Sequence, residues 1–248
     1  MTILTPQKVI FIHGLMGSPH EWDSPAKMFK EMGVETHQIC LPAHGDNPDA
    51  SFSSYSIDDL YHHCANELKQ LSENKPVLLI GHSLGAALCV LLAANNPENI
   101  AGVILMGCPY DNSAYTQPWQ LFMHPRHVKQ KGMKYLPDSL TGFKRPKVGL
   151  KNYFQFFKDG RKLFDKIQAA APNIQSPVWL VHSPYDLHVP YSNMQSLAKA
   201  LIRSAKVTQW TLENSAHQVF PKSNDVENAI TLLKQAWEYL VECEASTL

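Results

Sequence analysis

Apolar runs alternate with helix-forming segments along most of the chain. Six short runs of apolar and β-branched residues predict strands at residues 8–12, 35–41, 76–80, 101–106, 177–182 and 206–212. Five longer segments predict helices near residues 24–32, 56–72, 84–94, 193–202 and 225–241. Strands that alternate with helices form a parallel sheet with helices packed on both faces, so the sequence predicts an α/β fold.

One stretch interrupts the alternation. After Cys108 about 60 residues follow without a clear strand, until the run that begins at Pro177. Loops of that length are uncommon inside a compact domain and often act as lids over a site. We therefore expect a mostly helical cap at residues 110–172, inserted into a core formed by residues 1–109 and 173–248.

The predicted cap also differs from the core in charge. It contains twelve Lys or Arg and four Asp residues, whereas the whole chain has 22 basic and 22 acidic residues. The cap therefore has a net charge of +8 and the core a net charge of −8. Between Leu150 and Ile167, apolar side chains recur with helical spacing and lysines fall at other positions, which predicts a basic amphipathic helix.

Two interpretations of this helix stay open. In the first, its apolar stripe covers a pocket for an acyl chain. Its lysines then attract an anionic lipid headgroup, a coenzyme A thioester or a membrane surface. Alternatively, the lysines are solvated and face the acidic core. Candidate substrate contacts under the first interpretation are Met16 in an early loop and, in the cap, Trp119, Phe122, Tyr153, Phe154 and Phe157.

Length and composition narrow the function classes. A chain of 248 residues is long enough for one α/β domain with an insert. The first 19 residues lack a basic segment followed by a long apolar stretch, and no apolar run is long enough to span a membrane, so we expect a cytoplasmic protein.

The five cysteines lack Cys-x-x-Cys spacing and are expected to be reduced thiols. The histidine pairs have no third ligand at a plausible spacing, so we expect no metal site. We also expect no nucleic-acid partner, and a monomer or homodimer.

The most informative motif is Gly-His-Ser-Leu-Gly at residues 81–85. It follows an aliphatic run at residues 77–80, which is typical of a parallel strand buried on both faces, and it precedes an alanine- and leucine-rich helix. A Gly-x-Ser-x-Gly turn between a strand and a helix is typical of a nucleophile elbow, in which a strained turn exposes the serine hydroxyl. The two glycines remove side chains that would clash in that turn. Ser83 is therefore the predicted nucleophile, and an ordinary helix-capping serine is the alternative.

A serine hydroxyl is a weak nucleophile, so Ser83 needs a general base and an acidic residue that orients the base. His217 follows the last predicted strand, where the base is expected, and it is the predicted base. Asp186 follows the preceding strand and is the predicted acid. The order serine, acid, histidine along the chain agrees with this assignment. Asp111 and Glu213 remain alternatives for the acid, because the first follows another strand and the second lies close to the base in sequence.

Backbone N–H groups are needed to bind the oxyanion that forms during acyl transfer. One is expected from Leu84, directly after the nucleophile, and the second from the loop after the first strand. In that loop Gly14 permits close approach to the serine, Leu15 is the predicted donor, and Met16 is the alternative. His13 precedes the nucleophile in the chain, so we interpret it as a residue that organises the loop through hydrogen bonds rather than as the base.

Together these residues resemble the α/β-hydrolase family over essentially the whole chain, and within it the capped carboxylesterases and monoacylglycerol lipases. The features that carry the resemblance are His13-Gly14 with Gly17, the turn at residues 41–45, the motif at residues 81–85, Asp186 and His217. Ala43 departs from the family pattern, which commonly has a glycine there. The resemblance implies an α/β-hydrolase fold and hydrolysis of a small-molecule acyl ester through an acyl-serine intermediate, without a metal or organic cofactor. An acyl thioesterase or acyltransferase with the same triad, and a non-catalytic binding protein on this fold, remain alternatives.

Overall fold

The computed structural model describes residues 3–15, 17–45, 55–73, 75–111, 162–220 and 223–245. In this part of the chain all of the predicted strands and helices form, with ends that differ by a few residues. The strands are β1 (Lys8–Ile12), β2 (Glu35–Ile39), β3 (Val77–His82), β4 (Ile100–Met106), β5 (Val178–His182) and β6 (Val207–Thr211). The helices are α1 (Asp23–Glu31), α2 (Ile57–Ser72), α3 (Leu84–Asn95), α4 (162–170), α5 (Ser192–Ala200) and α6 (Val226–Ala245). Short 3-10 helices cover Pro19–Trp22, Pro97–Asn99 and Ala171–Asn173. Among the helices in these ranges, none is both long enough and apolar enough to cross a bilayer.

The six strands form one parallel sheet with the order β2-β1-β3-β4-β5-β6. At the carboxyl end of β1, Ile12 pairs with Ile39 of β2 and with Gly81 of β3. The chain moves from β1 to β2 at one edge, returns past β1 to β3, and then continues to β6 in the other direction. The strand order therefore reverses between β1 and β3. In open α/β sheets ligands bind outside the carboxyl ends of the strands at such a reversal, and the loop after β1 and the turn after β3 both lie there.

Side chains from each central strand pack on both faces of the sheet, because neighbouring residues in a strand point in opposite directions. Ile10 of β1 belongs to a core that includes α2, α3, α4 and α5 on one face. Phe11 belongs to a core that includes α1 and α6 on the other face. α3 is buried at every position from Leu84 to Ala93. The helix that follows Ser83 is thus held by the core on all sides.

The helix α2 begins where its sequence provides a cap. Ser56 Oγ accepts the N–H of Asp59 at 3.2 Å, and Asp59 Oδ2 accepts the N–H of Ser56 at 2.7 Å. This reciprocal capping box satisfies backbone donors that a helix N-terminus leaves without an intrahelical partner. It sets the start of the helix that leads from β2 to β3, the strand before the serine turn.

Most of the predicted cap, residues 112–161, lies outside the described residues, so the cap stays a prediction. α4 buries Leu163 and Ile167 in the same core as α2 and α3. Lys166 of α4 forms an ion pair with Asp58 of α2. The C-terminal end of the predicted basic amphipathic helix therefore packs on the core of the protein. One of its lysines, Lys166, is paired with an acidic residue there.

Three cysteines lie inside the core. Cys64, Cys89 and Cys108 are buried, and burial raises the pKa of each thiol, to about 12 for Cys64. A thiol that stays protonated is a poor nucleophile, so these side chains act as small apolar groups.

Candidate active site

Ser83 occupies a strained turn between β3 and α3. Its backbone angles are φ 53° and ψ −117°, and residues with a Cβ rarely adopt a positive φ. Such a conformation costs on the order of 1–3 kcal/mol and persists only where the surrounding structure enforces it. The Ser83 N–H donates to Met106 O of β4 at 2.9 Å, and Ser83 O accepts the N–H of Ala87 at 3.1 Å. The turn is thus tied to a neighbouring strand and to α3, at the carboxyl edge of the sheet.

Two glycines allow this turn to pack against its surroundings. A Cβ on Gly81 would lie 2.5 Å from the Gly85 carbonyl oxygen, and a Cβ on Gly85 would overlap the Ile12 carbonyl oxygen of β1. Both overlaps are with backbone atoms, which cannot move aside as a flexible side chain can. The Gly-x-Ser-x-Gly pattern therefore has the steric cause that the sequence indicated.

The loop after β1 lies against the serine and is organised by His13. A Cβ on Gly14 would lie 3.2 Å from Ser83 Cβ. His13 Nδ1 donates to Gly14 O at 2.8 Å, and Nε2 accepts the N–H of Leu41 at 3.1 Å. Burial lowers the pKa of His13 to about 4, so the ring is neutral at neutral pH. Because both ring nitrogens bind backbone groups, His13 holds the loop and is not available as the base.

The two predicted oxyanion donors, Leu15 and Leu84, lie in this loop and at the first position of α3. The first N–H groups of a helix have no intrahelical partner and carry a partial positive charge, which suits an anion. These roles stay predictions. The remaining substrate-contact predictions, Met16, Trp119, Phe122, Tyr153, Phe154 and Phe157, lie outside the described residues.

Asp186 and His217 meet from the loops that follow β5 and β6. His217 Nδ1 lies 2.7 Å from Asp186 Oδ2. A carboxylate oxygen only accepts hydrogen bonds, so Nδ1 carries a proton. In the neutral ring Nε2 then has the lone pair that a general base needs. The side-chain exposure is 1% for Asp186 and 11% for His217. The acid is therefore enclosed, and the histidine is the more accessible member of the pair.

The end of β4 places this pair close to the serine turn. A Cβ on Gly107 would lie 3.4 Å from both Asp186 Oδ2 and His217 Nδ1, and the preceding residue accepts the Ser83 N–H. The ring of His82, the neighbour of Ser83, lies 4.7 Å from the His217 ring between centroids. The structure thus brings Ser83, Asp186 and His217 to the same end of the sheet.

Both oxygens of the Asp186 carboxylate accept hydrogen bonds. Oδ1 accepts the N–H groups of His188 and Val189 at 2.8 and 2.9 Å, and Oδ2 lies 3.2 Å from His182 Nε2 as well as 2.7 Å from His217. Burial acts to raise the pKa of Asp186, but the charge of His217 and the two imidazole hydrogen bonds outweigh burial, and the pKa lies well below its ordinary value. Asp186 is therefore ionised at neutral pH and can stabilise an imidazolium at His217.

The two alternative acids occupy other positions. The N–H groups of Tyr110 and Asp111 donate to Asn193 Oδ1 at 2.7 and 2.6 Å, which anchors the chain after β4 to α5. Glu213 is exposed to solvent. The geometry therefore favours Asp186 as the partner of His217.

Three further buried side chains surround the site, and sequence reasoning gave none of them a role. His182 contacts Asp186, and His82 forms an ion pair with Glu21. His82 lies inside the Gly-x-Ser-x-Gly motif, and His182 is the last residue of β5. Their positions in the sequence therefore weakly indicated that both lie near the site. No local pattern marks Glu21, because its partner lies far away in the chain.

Asp186, His188 and His217 also have potential metal-ligand atoms within 4.8 Å of one another. A metal ion on these atoms would have to replace the 2.7 Å hydrogen bond between Asp186 and His217. It would also compete with the hydrogen bonds that both carboxylate oxygens already accept. These hydrogen bonds favour an acid–base pair over a metal site on these atoms.

A family model described as Alpha/beta hydrolase family matches residues 9–227. Among solved structures, one from the metagenome-derived lipolytic enzymes LipS and LipT aligns with a TM-score of 0.73 and 20% identity, over 98% of this chain and 96% of that chain. The monoacylglycerol lipase of Paleococcus ferrophilus aligns with a TM-score of 0.72 and 18% identity, over 97% of each chain. At such identities these matches show the shared fold.

Curated relatives match shorter segments. A Haemophilus influenzae protein assigned as a 2-succinyl-6-hydroxy-2,4-cyclohexadiene-1-carboxylate synthase is 29% identical over 102 residues, 40% of each chain. An sn-1-specific diacylglycerol lipase of Mus musculus is 32% identical over 102 residues, 40% of this chain and 31% of the lipase. An ethanol acetyltransferase of Cyberlindnera fabianii is 28% identical over 123 residues, 48% of this chain and 34% of that enzyme. Each match spans less than half of the relative's length.

Proposed function

This chain belongs to the α/β-hydrolase family, and from that premise we propose that it is a serine hydrolase that cleaves carboxylic esters with an apolar acyl group. The observation that carries the proposal is the 2.7 Å hydrogen bond between Asp186 Oδ2 and His217 Nδ1, beside the strained turn of Ser83. A nucleophile, a base and an orienting acid are the groups that acyl transfer through a serine needs.

In the proposed acylation step, His217 Nε2 removes the proton from Ser83 Oγ while the oxygen attacks the ester carbonyl carbon. The negative charge that forms on the carbonyl oxygen is bound by the N–H groups of Leu15 and Leu84, and one such donor contributes about 3–4 kcal/mol to the transition state. His217 then gives its proton to the departing alcohol. Asp186 holds the imidazole in the required tautomer and stabilises its positive charge.

In the proposed deacylation step, a water molecule attacks the acyl-serine. His217 Nε2 takes the water proton, and the tetrahedral intermediate collapses to release the carboxylic acid. The proton returns from His217 to Ser83 Oγ. The cycle is complete with protein groups and water, so it requires no metal or organic cofactor.

Two observations support an apolar acyl group. The predicted cap contains eleven aromatic residues, which suit the roof of an acyl pocket. The relatives and fold neighbours include enzymes named for diacylglycerol and monoacylglycerol. We therefore propose monoacylglycerol or lysophospholipid as the substrate class. The lysines of the predicted basic amphipathic helix would bind the enzyme to anionic lipid by electrostatic attraction.

Acyl transfer to an alcohol is the second candidate, and the similarity to an ethanol acetyltransferase supports it. Both activities use the same acyl-serine and differ in whether water or an alcohol attacks it. Adding ethanol to the hydrolysis of a p-nitrophenyl ester separates them, because a transferase forms the ethyl ester as its main product. We expect the free carboxylic acid instead.

An active-site-directed fluorophosphonate probe tests the nucleophile. We expect it to label the wild-type protein and Ser204→Ala, in which a serine away from the site is changed, but not Ser83→Ala. Absence of labelling in folded wild-type protein would favour a non-catalytic binding protein. A series of p-nitrophenyl esters then tests the acyl group, and a sharp optimum at acetate would contradict an apolar acyl pocket.

A further inference from the structure

A buried ion pair lies directly behind the serine turn. His82 Nδ1 is 2.5 Å from Glu21 Oε1, and the side-chain exposure is 5% for His82 and 3% for Glu21. Burial removes the hydration of both charges, so such a pair often stabilises a protein no better than apolar residues of similar volume. Stability alone is therefore a weak explanation for two charges at this place.

The pair joins three segments of the site. Glu21 Oε2 accepts the N–H of Gly14 at 3.4 Å, in the loop of the predicted oxyanion donor. His82 directly precedes Ser83, and its Nε2 donates to the backbone carbonyl of His217 at 2.8 Å. A chain of contacts thus runs from the oxyanion loop, through the serine turn, to the loop of the base.

The contact of His82 Nε2 with the His217 carbonyl requires a proton on Nε2, because a carbonyl oxygen only accepts hydrogen bonds. The ion pair with Glu21 requires the positively charged ring, in which both nitrogens are protonated. Burial acts to lower the pKa of His82, but the charge and hydrogen bond of Glu21 raise it above its ordinary value. Burial acts to raise the pKa of Glu21, but His82 lowers it below its ordinary value. His13 and Asp186 are the further titratable groups that act on Glu21 and His82, respectively. Both shifts favour the charged forms of the pair.

We propose that Glu21 and His82 are positioning residues, whose ion pair holds the backbone of His217 and the loop of Gly14 in fixed places around Ser83. This inference rests on the ester-hydrolase function proposed above. Asp186 orients the imidazole of His217 but does not hold its backbone carbonyl, which is the atom that His82 contacts. A displacement of a catalytic group by about 1 Å can reduce the rate about 100-fold.

An apolar replacement separates positioning from stability. In the double variant Glu21→Met/His82→Phe, we expect little change in the melting temperature. Apolar side chains remove the cost of burying two charges, while the Gly14 N–H and the His217 carbonyl each lose a hydrogen-bond partner. We expect kcat for a p-nitrophenyl ester to fall about 100-fold, with little change in KM, because the pocket is intact but the base is displaced. A folded variant with the wild-type kcat would overturn the proposal.

Two amide variants test the contact to His217 directly and do not depend on the apolar variant folding. In Glu21→Gln/His82→Gln, the Gln Nε2 takes the place of the imidazole Nε2 and can still donate to the His217 carbonyl. In Glu21→Gln/His82→Asn, the shorter amide takes the place of Nδ1 and cannot reach it. We expect the Gln variant to recover most of the lost kcat and the Asn variant to recover little, and equal kcat values in the two variants would overturn the proposal.

The pair of Lys8 and Glu35 provides a matched control. Lys8 Nζ lies 3.2 Å from Glu35 Oε1 where β1 and β2 begin, at the end of the sheet opposite to the site, and the Lys8 side chain is 8% exposed. Lys8→Met/Glu35→Leu therefore removes a partly buried ion pair without contact to the site. We expect this variant to keep the wild-type kcat, and a loss equal to that of the Glu21 variants would overturn the positioning role.

Hydrogen exchange provides a readout that does not need activity. In Glu21→Met/His82→Phe we expect the amides of residues 213–219 to exchange faster than in the wild type, while the amides of α2 are unchanged. If the wild-type protein lacks Ser83-dependent hydrolysis, the proposed function fails, and exchange still decides whether the pair holds this loop. Unchanged exchange at residues 213–219 would overturn the inference.

Discussion

The turn of Ser83 and the pair of Asp186 and His217 are held in place by different means. The turn is held by backbone, because Ser83 has a positive φ and neither Gly81 nor Gly85 has room for a Cβ. The pair is held by side-chain hydrogen bonds between loops that are 31 residues apart. Substitutions should therefore act through steric overlap at the turn and through hydrogen bonds and charge at the pair.

Removing the charge of Asp186, the proposed acid, should have the largest effect. In Asp186→Asn we expect kcat for a p-nitrophenyl ester to fall about 10⁴-fold at neutral pH, because an amide does not hold His217 in the required tautomer or stabilise its positive charge. Steady-state kinetics on protein shown to be folded by circular dichroism measures this loss.

The alternative acids provide the controls for that experiment. Asp111→Asn and Glu213→Gln remove the other two candidate carboxylates, and we expect both to keep kcat close to the wild-type value. A larger loss in either of them than in Asp186→Asn would show that Asp186 is not the acid.

At the turn, the largest effect should come from a single added methyl group. In Gly85→Ala the new Cβ overlaps the Ile12 carbonyl oxygen, and we expect the free energy of unfolding to fall by about 4 kcal/mol or more. Gly33→Ala is the control, because Gly33 has a φ of +77° but open space around its Cβ position, so the expected cost there is about 1–2 kcal/mol. Urea unfolding measures both, and equal losses would mean that the contact with β1 is unimportant.

Low pH should destabilise the folded protein through His13, which holds the loop that packs against the turn. The pKa of His13 is about 4 in the folded protein against an ordinary value of 6.5, so between these pH values the unfolded chain binds a proton that the folded protein does not. Stability therefore falls as pH decreases through this window, by about 3 kcal/mol from His13 between pH 7 and pH 4.

The variant His13→Asn isolates that contribution. It removes the titrating ring and keeps a donor near the Nδ1 position, and other acid-sensitive groups such as Asp186 remain in both proteins. We expect the free energy of unfolding to depend less on pH in the variant. The same dependence in both proteins would assign the acid sensitivity to other groups.

The smallest expected effect concerns backbone strain at Ser83, the proposed nucleophile. Glycine adopts a positive φ without a steric cost, so we expect Ser83→Gly to be about 1–2 kcal/mol more stable than Ser83→Ala, which keeps the Cβ. Both variants lack the hydroxyl of the proposed nucleophile and are expected to be inactive. Thermal or urea unfolding compares them, and equal stabilities would show that the turn stores no strain.

The regular elements were largely predictable, and their ends differ from the prediction by a few residues. β2 ends at Ile39 rather than at residue 41, because the chain then turns through Ala43, which has a φ of 60°. α6 continues to Ala245, beyond its predicted end at residue 241. The sequence pattern locates an element from its apolar face, but its ends depend on neighbouring turns and caps.

The candidate site was predictable to a different degree in each part. The motif around Ser83 could be recognised because its glycines and serine are adjacent in sequence. For the acid, the sequence left Asp186, Asp111 and Glu213 open, and the position of the carboxylate relative to His217 Nδ1 favours the first. Their catalytic roles stay predictions that the substitutions above test.

By itself the sequence determined the alternation of strands and helices and the elbow at residues 81–85, because hydrophobic periodicity and glycine sterics act over a few neighbouring residues. Only the tertiary structure decided that Asp186 meets His217 and that Glu21 forms an ion pair with His82. Such contacts join segments that are distant in the chain, so their distances depend on the order of strands in the sheet and on the packing of its loops.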